Sequence, residues 1–161
     1  MPWFRVSLKQ SPTWRGAPPQ MLPDDRPVWW EYLDTKRPPY TAVYYNLAMT
    51  KLGPEDIVAP KAIQEMWLYA ISKRVDALGE TEDYIDLIEV CQRAAIRSLG
   101  QIITYKELYD LCKPFEKPCK PKIVCNDADP DIAWLAPKFG IEIVELHPKP
   151  IGVIVREMGR V

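Results

Sequence analysis

Histidine is nearly absent: this chain of 161 residues has one, His147, and Pro148 follows it. A Ser-His-Asp or Cys-His centre needs an imidazole held against its nucleophile, so neither is expected here. Cysteine is sparse too. Cys91, Cys112, Cys119 and Cys125 contain no C-x2-C pair, the usual spacing of a zinc site. Buried, reduced thiols are the expectation, with four-thiolate iron–sulfur ligation as the alternative. Neither charge dominates: 21 basic residues face 22 acidic ones, for a net charge of −1. That balance argues against a general nucleic-acid coat, though not against a local groove. No run approaches the ~20 apolar residues that span a bilayer, and MPWFRVSLKQ lacks the apolar centre of a signal peptide. No membrane partner is expected, and the cytoplasm is the expected location.

What is present is uneven. Residues 1–60 hold ten of the 17 prolines and four of the six tryptophans (Trp3, Trp14, Trp29 and Trp30). Proline at this density prevents long helices, and each tryptophan needs an apolar surface to cover. The reading is an extended arm over residues 1–39, wrapping its own domain or, by preference, docking on protein subunits of a larger assembly. A domain over residues 40–161 would follow. WFRVSL and YTAVYYNLAM read as strands. Residues 60–72 read as a helix with an apolar stripe of Ile63, Met66, Trp67, Ala70 and Ile71, and with Glu65 pointing away. A second helix is expected over about 93–112. A lysine-rich loop, KIVCN as a buried strand, a helix opened by Asp129-Pro130 and the strand IEIVEL come next. Strand–helix–strand with so short a connection implies parallel pairing. GVIVRE at 152–157 would add an edge strand.

The apolar runs RVDALG and DLIEV flank the polar stretch ETEDY. A hairpin turning at Glu82-Asp83 places Asp76 directly opposite Glu89, and Arg74 opposite Cys91. Like charges facing across a strand pair are destabilising. A hard divalent cation such as Mg2+, which takes carboxylate oxygens, would offset them. Asp76 and Glu89 are therefore the candidate metal ligands.

The order helix, antiparallel hairpin, helix, strand, helix, strand over residues 60–146, with this acid pair, resembles the PD-(D/E)XK nuclease superfamily. The resemblance implies a restriction-endonuclease-like α/β (α+β) fold, a mixed central sheet flanked by helices. In that superfamily an Asp on the first hairpin strand and E-x-K on the second make the site. Asp76 matches the Asp and Glu89-Val90-Cys91 matches the rest, with cysteine in the lysine's place. Gln101-Ile102-Ile103-Thr104-Tyr105 matches the Q-x-x-x-Y motif of the RecB-like branch, whose residues help place DNA. Residues four apart share one helix face.

A thiol cannot stand in for an ammonium, because it gains negative charge when it ionises. The resemblance therefore implies a crippled Mg2+-dependent nuclease, a pseudoenzyme reused as a structural subunit. Because divergent domains of this kind are frequent in phage genomes, a virion neck or tail component is the favoured setting, in host cytoplasm or virion. The alternative is an active DNA nuclease or DNA-end processing factor with a migrated cation, supplied by Arg74, Arg93 or Arg97. The bland role for Arg74 is an ion pair with Asp76 or Glu89. Glu65 is a candidate extra acid. A third reading is DNA binding without cleavage, through Gln101, Tyr105 and the lysine-rich loop.

Overall fold

The computed structural model describes residues 1–159. In chain order its elements are β1 (Trp3–Gln10), α1 (Arg26–Lys36), β2 (Ala42–Thr50), α2 (Lys61–Ile71), β3 (Lys73–Glu80), β4 (Ile85–Val90), β5 (Arg93–Ala94), α3 (Ile96–Cys112), β6 (Cys119–Cys125), β7 (Asp127–Ala128), α4 (Pro130–Leu135), β8 (Glu142–Glu145) and α5 (Ile151–Met158). Six strands form one mixed sheet in the order β1-β2-β3-β4-β6-β8, and β5 pairs with β7 separately. β1 to β4 run antiparallel to their neighbours, whereas β4, β6 and β8 run parallel. The fold class is the expected one, a mixed sheet with helices on both faces. The crossovers through α3 and α4 give the parallel pairing that the short connections imply. Among the described residues no helix is long and apolar enough to cross a membrane.

Residues 1–39 do not form an extended arm. β1 is the edge strand of the sheet, and α1 covers one of its faces. Trp29 and Tyr32 on α1 are buried against Tyr45, Val43 and Ala77. Trp14 packs its ring 5.4 Å from that of Tyr45. The aromatic surface of the segment is thus spent inside the domain. Pro27 stands in the first turn of α1, where its missing N–H costs nothing. The indole N–H of Trp29 donates to Tyr45 Oη at 2.9 Å inside the core. Trp29→Phe removes that donor and part of the ring, so a loss of about 1–2 kcal/mol is expected in urea unfolding. An unchanged midpoint would contradict the packing of α1.

The hairpin has the expected register. Ala77 pairs with Ile88, Leu78 with Leu87, Gly79 with Asp86 and Glu80 with Ile85. The Thr81 N–H donates to Tyr84 O across the turn at Glu82-Asp83. Gly79 has a packing reason: a Cβ there would collide with the Tyr40 ring.

One row of the sheet breaks the alternation of side chains. Val43 and Tyr45 pack on the α1 side, yet Leu47 and Met49 pack on the α3 side. Strict pleating would keep all four on one face. Asn46, between them, has φ 56°, the left-handed region. The same switch separates Ala77 from Val75 on β3, and Leu8 from Val6 on β1. The row Ser7, Asn46 and Asp76 is therefore a seam where the sheet exchanges faces.

Three further expectations are corrected. α2 forms as expected, but Met66, Trp67 and Ile71 of its apolar stripe are 62%, 47% and 43% exposed, and Leu68 is the residue it buries. GVIVRE is helical, lying within α5 after Pro150, and does not extend the sheet. The lysine-rich loop is partly β6, where Lys122 pairs with Asp86 at 2.8 Å in the interior.

Candidate functional site

Beyond Ala77 and Ile88 the hairpin ladder opens. The Val90 N–H then donates to Asp76 Oδ2 at 3.0 Å. The Asp76 carboxyl takes the place of the ladder acceptor, and this brings it against Glu89. The two carboxyl groups are close enough for each to act on the other's proton. Glu89 is buried at 7% exposure. Sequence register placed the two acids opposite each other, and the structure brings them together.

Two carboxylates in contact cannot both ionise freely. Burial pushes the Asp76 carboxyl well above the ordinary carboxylate range. The Val90 N–H pulls it part of the way back, and the charge of Asp25 raises it further. Glu89 is raised more, first by burial and then by the neighbouring charge of Asp76. Near neutral pH the pair retains a proton.

Asp25 is the member that sequence reasoning missed. It is the residue just before α1, and its side chain caps nothing. It shares a cavity of about 330 Å³ with Glu89, Cys91, Arg97 and Gln101. Its own carboxyl is raised by burial and by Asp24. The signal was legible: Asp24-Asp25-Arg26-Pro27 is the acid-then-proline helix start that identified Asp129-Pro130.

The other candidates divide. Gln101 and Tyr105 lie one turn apart on α3, and the Tyr105 hydroxyl feels Glu89, Asp76 and Gln101. Burial raises that hydroxyl, which stays a neutral donor beside the acids. Arg97, exposed on the first turn of α3, acts on both Glu89 and Tyr105. Arg93 is held by Asp127 at 2.9 Å. Arg74 is not with the acids. Its guanidinium lies 4.0 Å from the centre of the Tyr69 ring, and it donates to Tyr69 O. The seam is one cause: it turns residue 74 to the face opposite the one that unbroken alternation would give. The expected ion pair of Arg74 with Asp76 or Glu89 is absent among the described residues.

Cys91 borders the cavity together with Ser98, whose hydroxyl donates to Ala95 O. Burial, then Cys125 and Glu89, push its thiol up, so it stays neutral. Glu65 is exposed on α2 and takes no part. The lysines lie at the other end of the hairpin: Lys117 donates to Thr81 O and Lys120 covers the Tyr84 ring. Four residues of strand, ~13 Å, separate that end from Asp76. Among the described residues no three His, Cys, Asp or Glu side chains converge closely enough to hold a metal ion.

No protein-family model matches the chain, and no curated protein does. A search of solved structures finds a repair endonuclease from Pyrococcus abyssi, 23% identical, with a TM-score of 0.39. The match covers 47% of this chain and 34% of that one, so this chain spans about a third of the endonuclease's length.

Proposed function

We propose that this chain is a nuclease-fold protein of PD-(D/E)XK type, in which Asp76 and Glu89 take a divalent cation and a nucleic-acid phosphodiester, with hydrolysis impaired at Cys91. The observation that carries this reading is the pair of buried carboxyls that raise each other's demand for a proton, with no ion pair to either among the described residues. The donor set is of the kind a hard cation takes: Glu89 and Asp25 line one cavity, and the buried Asp76 acts on Glu89 from behind it. Such a cation, when bound, would polarise a phosphoryl oxygen and neutralise developing charge. Asp76 and Glu89 would hold it, giving up the proton they share. Gln101 and Tyr105, both uncharged donors, would orient the phosphodiester. Cys91 supplies neither a positive charge nor a proton that leaves near neutrality, and this motivates the impairment. Arg97 favours a second reading, an active enzyme, because it already places a cation beside Glu89. A docking role in a larger assembly would have to use surfaces other than the buried faces of β1 and α1.

Calorimetric titration with Mn2+ tests the reading. One ion per chain is expected, with binding that strengthens as pH rises because the ligands must lose their proton. Asp76→Asn or Glu89→Gln is expected to weaken binding at least tenfold, about 1.4 kcal/mol. Equal binding by wild type and both variants would refute it. Metal-dependent cleavage of labelled DNA, abolished by both substitutions, would favour the active-enzyme reading.

A further inference from the structure

β3 carries a second charge problem of opposite sign. The guanidinium carbons of Arg5 and Arg74 lie 3.9 and 4.0 Å from the centre of one ring, that of Tyr69. The two cations are therefore less than about 8 Å apart. Among the described residues neither forms an ion pair, although the chain has more acidic than basic side chains. An arginine kept for structure fills its donors. Here Arg74 gives one hydrogen bond, to Tyr69 O, and its buried Nε has no acceptor. Asn46 fixes the ring by donating to Tyr69 Oη at 2.8 Å and to Ser7 Oγ at 3.1 Å. Asn46 belongs to the same seam as Asp76, and Arg74 is two residues from Asp76, ~7 Å along the strand.

Stacked guanidiniums keep their outer edges available, and their planar forks match phosphate oxygens. A lysine pair would offer point charges alone.

We propose that Arg5 and Arg74, held on Tyr69, grip a phosphate of a nucleic-acid backbone beside the one presented to the acid pair. This rests on the nucleic-acid reading of that pair but not on cleavage. The site would register the strand without reading its sequence. Cation demand on one side of the seam and anion demand on the other suit a chain of phosphodiesters that crosses it.

Fluorescence anisotropy with a labelled single-stranded oligonucleotide and a labelled duplex, in EDTA, tests the proposal. Wild type is expected to bind more weakly as salt rises. Arg5→Ala with Arg74→Ala should weaken binding at low salt at least tenfold. The log–log salt slope should fall by ~0.7 per lost contact for single strands, or ~0.9 for duplex. Arg5→Lys with Arg74→Lys should recover part of the slope but less of the affinity. Arg5 is exposed on an edge strand, so Arg5→Ala alone decides the matter should Arg74→Ala fail to fold. Unchanged binding by Arg5→Ala and the double variant, or no salt-dependent binding by wild type, would overturn the proposal. Arginine-dependent binding without metal binding at Asp76 and Glu89 would sink the metal reading and leave this one standing. Metal-dependent cleavage with unaltered binding by the arginine variants would do the reverse.

Discussion

Cys91→Lys is expected to raise metal-dependent cleavage of DNA by ~10²–10³, the usual worth of one aligned donor at a transition-state charge. The substituted residue sits beside Glu89 and Ser98, on a cavity of about 330 Å³ that has room for the longer side chain. Its ammonium would meet the charge of Glu89 and find a partner that the thiol does not offer. The change acts on the apo protein too: a cation at position 91 should draw the proton off the acid pair at lower pH. Nicking of supercoiled plasmid in Mg2+ and in Mn2+ gives the rate. The same substitution combined with Asp76→Ala should return it to background. No gain in either metal would mean that more than the lysine has been lost. A wild-type rate already in the range of an efficient nuclease would point to Arg97 as the cation in use.

The second large effect is on stability. Asp76 and Glu89 hold protons more tightly when folded than when unfolded. Where the native state binds more protons, stability falls as pH rises. The contribution is complete below the unfolded carboxylate range, near pH ~4, and is lost as pH climbs through the raised folded values. A tenfold change in proton affinity between the folded and unfolded states is worth about 1.4 kcal/mol. Urea midpoints at pH 5, 7 and 9 in EDTA should therefore decline. Asp76→Asn should flatten that decline and be the more stable protein at pH 9. The amide can still accept from the Val90 N–H and now donates to Glu89, without the second charge. Mn2+ at a hundredfold excess over its dissociation constant should restore about 2.7 kcal/mol to wild type and less to the variant. A decline that Asp76→Asn leaves unaltered would place its origin elsewhere.

Local signals explain what could be read in advance. The hairpin was legible because a polar turn stands midway between two apolar runs, and pairing geometry does the rest. α3 and the parallel crossover followed from periodicity and short connections. α1 was obscured by the prolines around it, although Asp25-Arg26-Pro27 marks its start, and with it went the third acid of the site. The apolar stripe of α2 misled because periodicity gives a face but not what the face meets. The seam had no signal: YTAVYYNLAM reads as an uninterrupted strand, and nothing local marks Asn46 as left-handed. Arg74 was misplaced partly for that reason. The hairpin ladder also ends at Ala77 and Ile88, so Arg74 pairs with Ala48 of β2 and does not face Cys91.

The seam also sets how this sheet can tolerate change. A single inserted residue in a strand ordinarily turns every later side chain inside out. In β2 and β3 the reversal at Asn46 and Asp76 splits each strand into two lengths that answer to different halves of the interior. Lengthening one half would disorder its own packing and spare the other. The acid Asp76 stands at the joint, where the Val90 N–H of the neighbouring strand holds its carboxyl and neither half's packing does.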